Sequence, residues 1–284
     1  MRIGIVLSGG MAKGAYQIGA LKAIKELIPS HHIKHISASS VGALNAYAYS
    51  AEKLEQAEEI WKNTASQGSR AFITKMLRSS YLQQSISDIC SENDYFDNDL
   101  YITLLNSKKM TVGYHNIKNV NPILYKDYIK ASVAMPIYNY PVQINESRYY
   151  DGALIDNIPI FPFMKLSVDL IICIYFDSYC YKFENEYLDN KILKLTFSKD
   201  KFFKESLVFE KDSIDYMILE GYKKTYSILS SVFSSGFDCI ETIYKNIEYA
   251  NSQAGNQKIR ITDDLVATNL NKIAQKFTKR KIIK

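Results

Sequence analysis

Residues 1–50 contain one local pattern twice, in which a short strand, a tight turn and a helix follow one another. The strand, turn and helix segments are residues 2–7, 8–14 and 15–27 in the first unit and residues 35–38, 39–42 and 43–50 in the second. In the first helix, Ile18, Leu21 and Ile24 recur at helical spacing, and Pro29 follows its end. This order predicts a parallel sheet with crossover helices, in which functional groups gather at the carboxyl ends of the strands.

Further strands and then helices follow along the chain. Strands are predicted at residues 110–114, 142–144 and 170–176, and helices at residues 54–62, 214–227 and 240–249. The strand at 170–176 is apolar enough to be central in the sheet, whereas the polar residues 66–98 predict only fragments of helix. We therefore predict one α/β domain in residues 1–199, and a mainly helical extension in residues 200–284 that packs on one side of its sheet.

Composition limits the function classes. The 284 residues are 47% hydrophobic and 23% charged, which is enough for one large α/β core. The net charge of +5 comes from scattered lysines, so it predicts no nucleic-acid partner, and it suits both a solvated basic tail and approach to an anionic membrane. Four cysteines without CxxC spacing and the lack of a leader pattern predict a reduced, cytoplasmic protein. No apolar run approaches the roughly 20 residues of a membrane span, so we expect only peripheral membrane contact.

The turn from Gly9 to Gly14 predicts an anion-binding site, because its N–H groups lie at the start of a helix. The anion is either a phosphate or the transient oxyanion of an acyl transfer, and a tight turn without any ligand is the third interpretation. No GxxxxGKS or GxxxxGKT is present, and Met11 occupies the second glycine position of a dinucleotide GxGxxG. Glycine spacing alone leaves the phosphate and oxyanion interpretations open.

Ser40 lies in a segment, residues 38–42, that fits a nucleophile elbow, a strained strand-to-helix turn that exposes a serine hydroxyl. Ala38 replaces the first glycine of the GxSxG pattern, and Ser39 is a rival serine at the wrong phase. The alternative is that Ser40 caps the following helix, since serine is a favoured N-cap residue. Both interpretations stay open on this segment alone.

A serine nucleophile needs a base within hydrogen-bond reach. Three histidines lie at the amino end of the strand that leads to Ser40, and His115 is the only geometric candidate. No histidine follows residue 115, so the hydrolase order of serine, aspartate and histidine is not met. Asp151 is the outstanding carboxylate, and Gly152 beside it allows another backbone to approach. To act as a base, Asp151 needs an enclosed site that raises its pKa, and the alternative is an ordinary Asp-Gly turn.

Taken in order, the segments LSGGMAKGAYQIGAL, ISASSVGALNA, ASVAMPIY and YYDGALIDNIPI resemble the patatin-like phospholipase family over about residues 2–176. The resemblance implies a three-layer α/β/α sandwich with a mainly parallel central sheet. It implies a catalytic dyad of Ser40 as nucleophile and Asp151 as base. The other residues to which it assigns a role are Gly9, Gly10 and Met11 as oxyanion-hole N–H donors, Lys13, Gly14, Gly42 and Gly152 as motif support, and Asn157 and Pro159 as residues that shape the loop after the aspartate.

Three positions depart from the family pattern. Met11 stands where glycine is usual, which places a bulky side chain in the oxyanion loop. Lys13 replaces the common arginine and loses its bidentate fork, and Ala38 replaces the elbow glycine. None of these changes removes a reactive group, so the resemblance implies activity.

The function implied by the resemblance is that of a phospholipase A type lipid acyl hydrolase acting on a phospholipid or other acyl-lipid substrate. No cofactor or metal is implied, and calcium is not required because no carboxylate-rich metal loop is visible. One alternative is a lipid-binding or regulatory module of the same fold that has lost turnover through Met11. Another is nucleotide binding at the glycine turn.

Overall fold

The computed structural model describes residues 1–66, 80–136, 138–183, 185–197, 211–260 and 279–283. The strands are β1 (Ile3–Leu7), β2 (Ile33–Ala38), β3 (Asp99–Asn106), β4 (Thr111–Asn116), β5 (Val142–Ile144), β6 (Ser147–Asp151), β7 (Leu170–Tyr175), β8 (Cys180–Phe183), β9 (Ile192–Thr196), β10 (Gln257–Arg260) and β11 (Lys279–Ile283). The helices are α1 (Gly14–Leu27), α2 (Val41–Ser50), α3 (Leu54–Ser66), α4 (Ser80–Ile89), α5 (Tyr125–Ser132), α6 (Glu186–Asp189), α7 (Lys211–Val232) and α8 (Ile240–Ser252).

The central sheet has the strand order β11, β4, β3, β2, β1, β7, β9. Strands β3, β2, β1, β7 and β9 run parallel, and β4 turns back antiparallel to β3. The predicted mainly parallel sheet is therefore confirmed. The chain leaves β1 towards β2 on one side and returns to β7 on the other, so the carboxyl end of β1 is a topological switch point, where open α/β sheets bind their ligands.

Strand β3 brings two other strands end to end along one of its edges. Parallel pairing with β2 ends where Ala38 faces Ile102, and antiparallel pairing with β6 ends where Asp151 faces Leu104. Because β2 and β6 run towards each other, their carboxyl ends meet at nearly the same point of β3. The residues that follow Ala38 are thereby brought next to Asp151.

Side chains on successive residues of β1 divide between two apolar layers, as strand alternation requires. Ile5 and Leu7 belong to the larger core, which helices α1, α2, α3, α5 and α7 cover, whereas Val6 belongs to a second core on the opposite face. That second face is covered by a segment of short helical turns that includes Ile160 and Phe163. Every residue of β7 is buried, as expected for a central strand covered on both faces.

Helix α7 of the C-terminal extension crosses α1 in direct backbone contact. A Cβ atom at Gly19 would lie 1.9 Å from the Ile218 carbonyl oxygen, and one at Gly221 would lie 2.1 Å from the Tyr16 carbonyl oxygen. Only glycine at these two positions allows the helices to approach so closely. The extension thus packs on the helical side of the sheet.

Most predicted elements are present, within a few residues at their ends. The sequence does not predict β3, β8 or β9, and the uniformly buried runs of β3 and β9 lack the alternation that indicates a half-buried strand. Residues 67–79 of the region predicted as helix fragments lie outside the described residues, and α4 occupies part of the rest. The extension also contains β10 and β11 besides its helices. Among the described residues, no helix is both long and apolar enough to cross a bilayer.

Candidate active site

The turn after β1 is held in place by its neighbours on both sides. The Ser8 N–H donates to the Ile174 carbonyl at 3.0 Å. Gly9 exchanges two hydrogen bonds with Asn157, since its N–H donates to the Asn157 carbonyl and its carbonyl accepts from Asn157 Nδ2, both at 3.3 Å. A Cβ atom at Gly9 would lie 2.7 Å from the Ser40 Cβ atom, so glycine lets the turn pack against the elbow. The Gly9 N–H, predicted as an oxyanion donor, is therefore already engaged.

The next two N–H groups of the turn, those of Gly10 and Met11, donate to no group among the described residues. Any side chain at Gly10 would collide with the Phe176 ring, which lies 2.1 Å from the position of a Cβ atom. Met11 has a φ of 51°, in the left-handed region that favours glycine. Glycine at this position would therefore avoid a conformational penalty that methionine carries.

Ser40 lies between β2 and α2 with φ 55° and ψ −134°, a conformation that non-glycine residues rarely adopt. Its side chain is half-buried and makes no capping hydrogen bond to α2, so the N-cap interpretation is wrong. A Cβ atom at Gly42 would lie 2.7 Å from the carbonyl oxygens of Leu7 and Ser8. Gly42 therefore lets α2 start against β1, and the local geometry is that of a nucleophile elbow.

The rival serine is turned the other way. Ser39 is fully buried, and its hydroxyl donates to the Asp156 carbonyl at 2.7 Å. That hydroxyl is occupied by a structural hydrogen bond, whereas the Ser40 hydroxyl makes no such bond to the backbone of α2.

Asp151 ends β6 and is completely buried. One carboxyl oxygen, Oδ1, accepts the Ala153 N–H at 2.8 Å. Burial raises the pKa of Asp151 to about 7, and the Ser40 hydroxyl and the Ala153 N–H oppose the rise. Among the described residues, the Ala153 N–H makes the one hydrogen bond of standard geometry to this carboxyl, and Oδ2 accepts none. As predicted, glycine beside the aspartate allows a close backbone approach, since a Cβ atom at Gly152 would lie 2.5 Å from the Thr103 carbonyl oxygen.

The segment after α5 connects the serine with the aspartate. The Asp151 N–H donates to the Ala134 carbonyl at 2.9 Å. The Ser132 hydroxyl donates to the Ile129 carbonyl at 2.7 Å and lies 3.4 Å from the Ser40 carbonyl. The structure thus supplies contacts for Ser132 and Ala134 of the segment ASVAMPIY, which sequence reasoning valued only for its place in the motif order.

A half-buried hydroxyl, a buried carboxyl of raised pKa and two N–H groups that donate to nothing in the described part of the chain lie at the switch point of the sheet. The family model described as Patatin-like phospholipase matches residues 5–164, which is more than half of the chain. The chain belongs to the patatin-like phospholipase family. Members of this family are lipid acyl hydrolases, and membership supports a lipid hydrolase function in general.

Several solved structures are distantly similar to this chain. No curated protein matches it. VipD from Legionella pneumophila is 9% identical, with a TM-score of 0.44 over 97% of this chain and 83% of that chain. The type III effector ExoU is 14% identical, with a TM-score of 0.34 over 89% of this chain and 61% of that chain. The structure of the ExoU–SpcU complex from Pseudomonas aeruginosa is 15% identical, with a TM-score of 0.34 over 89% of this chain and 58% of that chain. This chain therefore spans less than two thirds of the ExoU chains.

Two further positions of the patatin-like turn are buried at the start of α1. Lys13 is only 1% exposed, so its side chain lies inside the protein instead of in solvent. A Cβ atom at Gly14 would lie 2.7 Å from the ring of Trp61, which explains glycine at the first residue of the helix.

The histidines of this patatin-like chain lie apart from the serine. His115 is buried between the rings of Tyr128 and Tyr149, at centroid distances of 5.3 and 5.2 Å. Neither ring nitrogen has a hydrogen-bond partner among the described residues, and burial lowers the pKa of His115 to about 4. His35 lies near the amino end of β2, where it contacts the Asp99 carboxyl at 3.0 Å.

A second buried carboxylate near the site was missed by sequence reasoning. Asp156 is 3% exposed, and it accepts a 2.5 Å hydrogen bond from the Tyr114 hydroxyl. Arg260 of β10 lies 3.8 Å from its other oxygen. Burial raises the pKa of Asp156, while the guanidinium groups of Arg280 and Arg260 oppose the rise. The available signal was a carboxylate within the apolar run ALIDNIPI.

Proposed function

We propose that this patatin-like protein is a lipid acyl hydrolase of the phospholipase A type, with Ser40 as nucleophile and Asp151 as base. The observation that carries the proposal is the pairing of an elbow serine with a fully buried carboxyl. Burial raises the pKa of that carboxyl to about 7, which matches the requirement of a base that works near neutral pH. No histidine is needed in this scheme.

In the first half-reaction, Asp151 takes the proton of the Ser40 hydroxyl as the oxygen attacks the ester carbonyl of the lipid. The tetrahedral intermediate collapses, the lysolipid alcohol leaves with the proton from Asp151, and an acyl-enzyme remains. Water then attacks the acyl-enzyme while Asp151 accepts its proton. The fatty acid leaves, and the Ser40 hydroxyl is restored.

The oxyanion of each intermediate is stabilised by the N–H groups of Gly10 and Met11. Gly9 is left out of this role, because its N–H donates to the Asn157 carbonyl. One donor in such a site is typically worth about 3 kcal/mol of transition-state stabilisation, so two donors are a substantial part of catalysis. The left-handed backbone at Met11 is what aims its N–H, whichever side chain occupies the position.

A fluorophosphonate probe and a fluorogenic acyl ester test the proposal together. We expect the wild-type protein to be labelled and to hydrolyse the ester, and Ser40→Ala to do neither. Asp151→Asn should lose at least a thousandfold in kcat, because its amide cannot accept the serine proton. His115→Phe is the control, since this histidine contacts neither Ser40 nor Asp151 through a hydrogen bond.

Three results would contradict the proposal. Labelling that persists in Ser40→Ala would show that another residue is the nucleophile. Near-wild-type turnover in folded Asp151→Asn would show that Asp151 is not the base. Loss of turnover in folded His115→Phe would restore a histidine mechanism.

The second candidate is a lipid-binding module of the same fold without turnover. It is favoured by one observation, the methionine in a left-handed conformation at the oxyanion loop. It predicts binding of lipid vesicles with neither labelling nor hydrolysis in the wild-type protein. Nucleotide binding at the same loop predicts a higher Tm with ATP or NAD, which the hydrolase does not.

A further inference from the structure

Asp156 is bonded through its backbone to the chain neighbours of both proposed catalytic residues. Its carbonyl accepts the Ser39 hydroxyl at 2.7 Å, and its N–H donates to the Gly152 carbonyl at 2.9 Å. The next residue, Asn157, makes the two hydrogen bonds with Gly9. The two-residue segment 156–157 is therefore bonded to the elbow, to the aspartate loop and to the glycine turn at once.

The Asp156 carboxyl holds this segment in the core. Its two oxygens are bound by groups from separate elements, the Tyr114 hydroxyl of β4 and the Arg260 guanidinium of β10. Arg260 is itself 6% exposed and lies over the rings of Tyr181 and Phe183, at 5.4 and 6.0 Å. A buried carboxylate is costly unless it is paired and hydrogen-bonded, so its position is strongly determined by these partners.

Arg260 lies outside the family-matched residues 5–164. Strand β10 brings it to Asp156 by pairing with β8, in a register that places Arg260 opposite Phe183. Arg280 of β11 also acts on the Asp156 carboxyl, so both guanidinium groups that oppose its pKa rise come from the C-terminal extension and not from the matched region.

We propose that Asp156 is a positioning residue of the acyl hydrolase, and that Arg260 of the C-terminal extension is a counter-charge that helps to fix it. This inference rests on the proposed function. Neither residue touches the reacting atoms, and both act by keeping Ser39, Gly152 and Gly9 at fixed distances from one another. A displacement of about 1 Å in such a frame can cost on the order of a hundredfold in rate.

The test uses the full-length chain and single variants of both partners. Asp156→Asn keeps the shape and an acceptor for Tyr114 but removes the charge, and Arg260→Met keeps the length but removes the guanidinium. We expect each to lower kcat on the acyl ester by tenfold or more while KM changes less than twofold. Arg260→Lys should keep more activity than Arg260→Met. The double variant should lose less than the product of the single losses, because Asp156 and Arg260 act on the site through one shared interaction.

Asp94→Asn is the matched control. The Asp94 carboxyl also binds a tyrosine hydroxyl, that of Tyr47, and a cation, Lys53 Nζ at 2.6 Å. It lies on the helical side of the protein and makes no hydrogen bond to the elbow, to the aspartate loop or to the glycine turn among the described residues. We expect it to lower Tm as much as Asp156→Asn does and to leave kcat within twofold of wild type.

The outcomes separate this inference from the proposed function. Hydrolysis that persists in Ser40→Ala contradicts the hydrolase proposal, and so does a wild-type protein that does not hydrolyse the ester at all. Ser40-dependent hydrolysis with kcat unchanged in folded Asp156→Asn and Arg260→Met leaves the hydrolase standing and overturns the positioning role. Equal losses of kcat in the Asp156 and Asp94 variants would mean that the loss follows from lower stability alone, and this result overturns the positioning role as well.

Discussion

At the scale of single residues, the proposed chemistry depends on where the Asp151 carboxyl is kept. An exposed aspartate has a pKa near 4 and is a weak base at neutral pH. In the fold, complete burial raises the pKa to about 7, and the Ala153 N–H and Ser40 hydroxyl offset only part of this effect. Burial therefore makes the carboxyl a better base and makes its ionised form costly for the folded protein.

This cost predicts opposite effects of pH on turnover and stability. The unfolded carboxyl releases its proton near pH 4, whereas the folded one keeps it until about pH 7, so the free energy of unfolding falls as pH rises between these values. The Asp151→Asn variant has no carboxyl to ionise at this position. Its free energy of unfolding should therefore exceed that of the wild type by on the order of 4 kcal/mol at pH 8, with little difference at pH 4. Wild-type kcat/KM should rise with pH and reach half of its maximum near pH 7.

Urea unfolding at several pH values, beside a pH–rate profile, checks this prediction. The Asp94→Asn variant serves as control, because its carboxyl lies outside the site. A wild type that is as stable as Asp151→Asn at pH 8 would mean that the carboxyl is not held in a strongly raised state.

At the scale of elements, two close approaches make the site possible. Strands β2 and β6 end opposite Ile102 and Leu104 of β3, which brings the elbow and the aspartate together. Helices α1 and α7 cross with their backbones in contact at Gly19 and Gly221. The first approach joins the proposed catalytic groups, and the second supports the helix that begins at the glycine turn.

The helix crossing predicts a reversal of ordinary helix propensity. Alanine in place of a mid-helix glycine usually stabilises by about 1 kcal/mol. At Gly221 the added Cβ atom would lie 2.1 Å from the Tyr16 carbonyl oxygen, so Gly221→Ala should instead destabilise the protein by about 2 kcal/mol or more. Ser227→Ala, at an exposed position of the same helix, is the control and should be neutral or slightly stabilising.

Chemical denaturation followed by circular dichroism measures both variants. A Gly221→Ala protein as stable as the wild type would show that α1 and α7 do not pack at this distance.

At the scale of the whole molecule, the C-terminal extension contacts the proposed catalytic domain at several places. Helix α7 packs on α1, β11 extends the sheet beside β4, and Arg260 pairs with Asp156. The division at residues 199 and 200 therefore stays a prediction, with contacts across it that favour a single folding unit.

These contacts predict one cooperative unfolding transition. Trp61 is the only tryptophan of the chain and is buried in α3 against Gly14, so its fluorescence reports on the glycine turn. Far-UV circular dichroism reports on all helices, including α7 and α8. Thermal unfolding should show the same midpoint by both probes. Midpoints separated by several degrees would mean that the extension unfolds on its own.

Short stretches of sequence are enough to predict the local features of the site. A strand followed by a glycine turn and a helix depends on short-range sterics and hydrophobic period, so β1, α1 and the elbow at Ser40 were predictable from adjacent residues. Gly42 and Gly152 were predictable for the same reason, although the atoms that approach them were not. The lack of a histidine after residue 115 directed attention to Asp151.

Which distant groups meet depends on how the whole chain packs. Strand β3 shows no clear period in sequence, yet it joins Ser40 to Asp151, because two strands run towards each other along its edge. The Gly9 N–H is engaged by Asn157 and Asp156 is paired with Arg260, contacts that no local pattern encodes. The raised pKa of Asp151 likewise has its origin in burial, which depends on the packing of the whole chain.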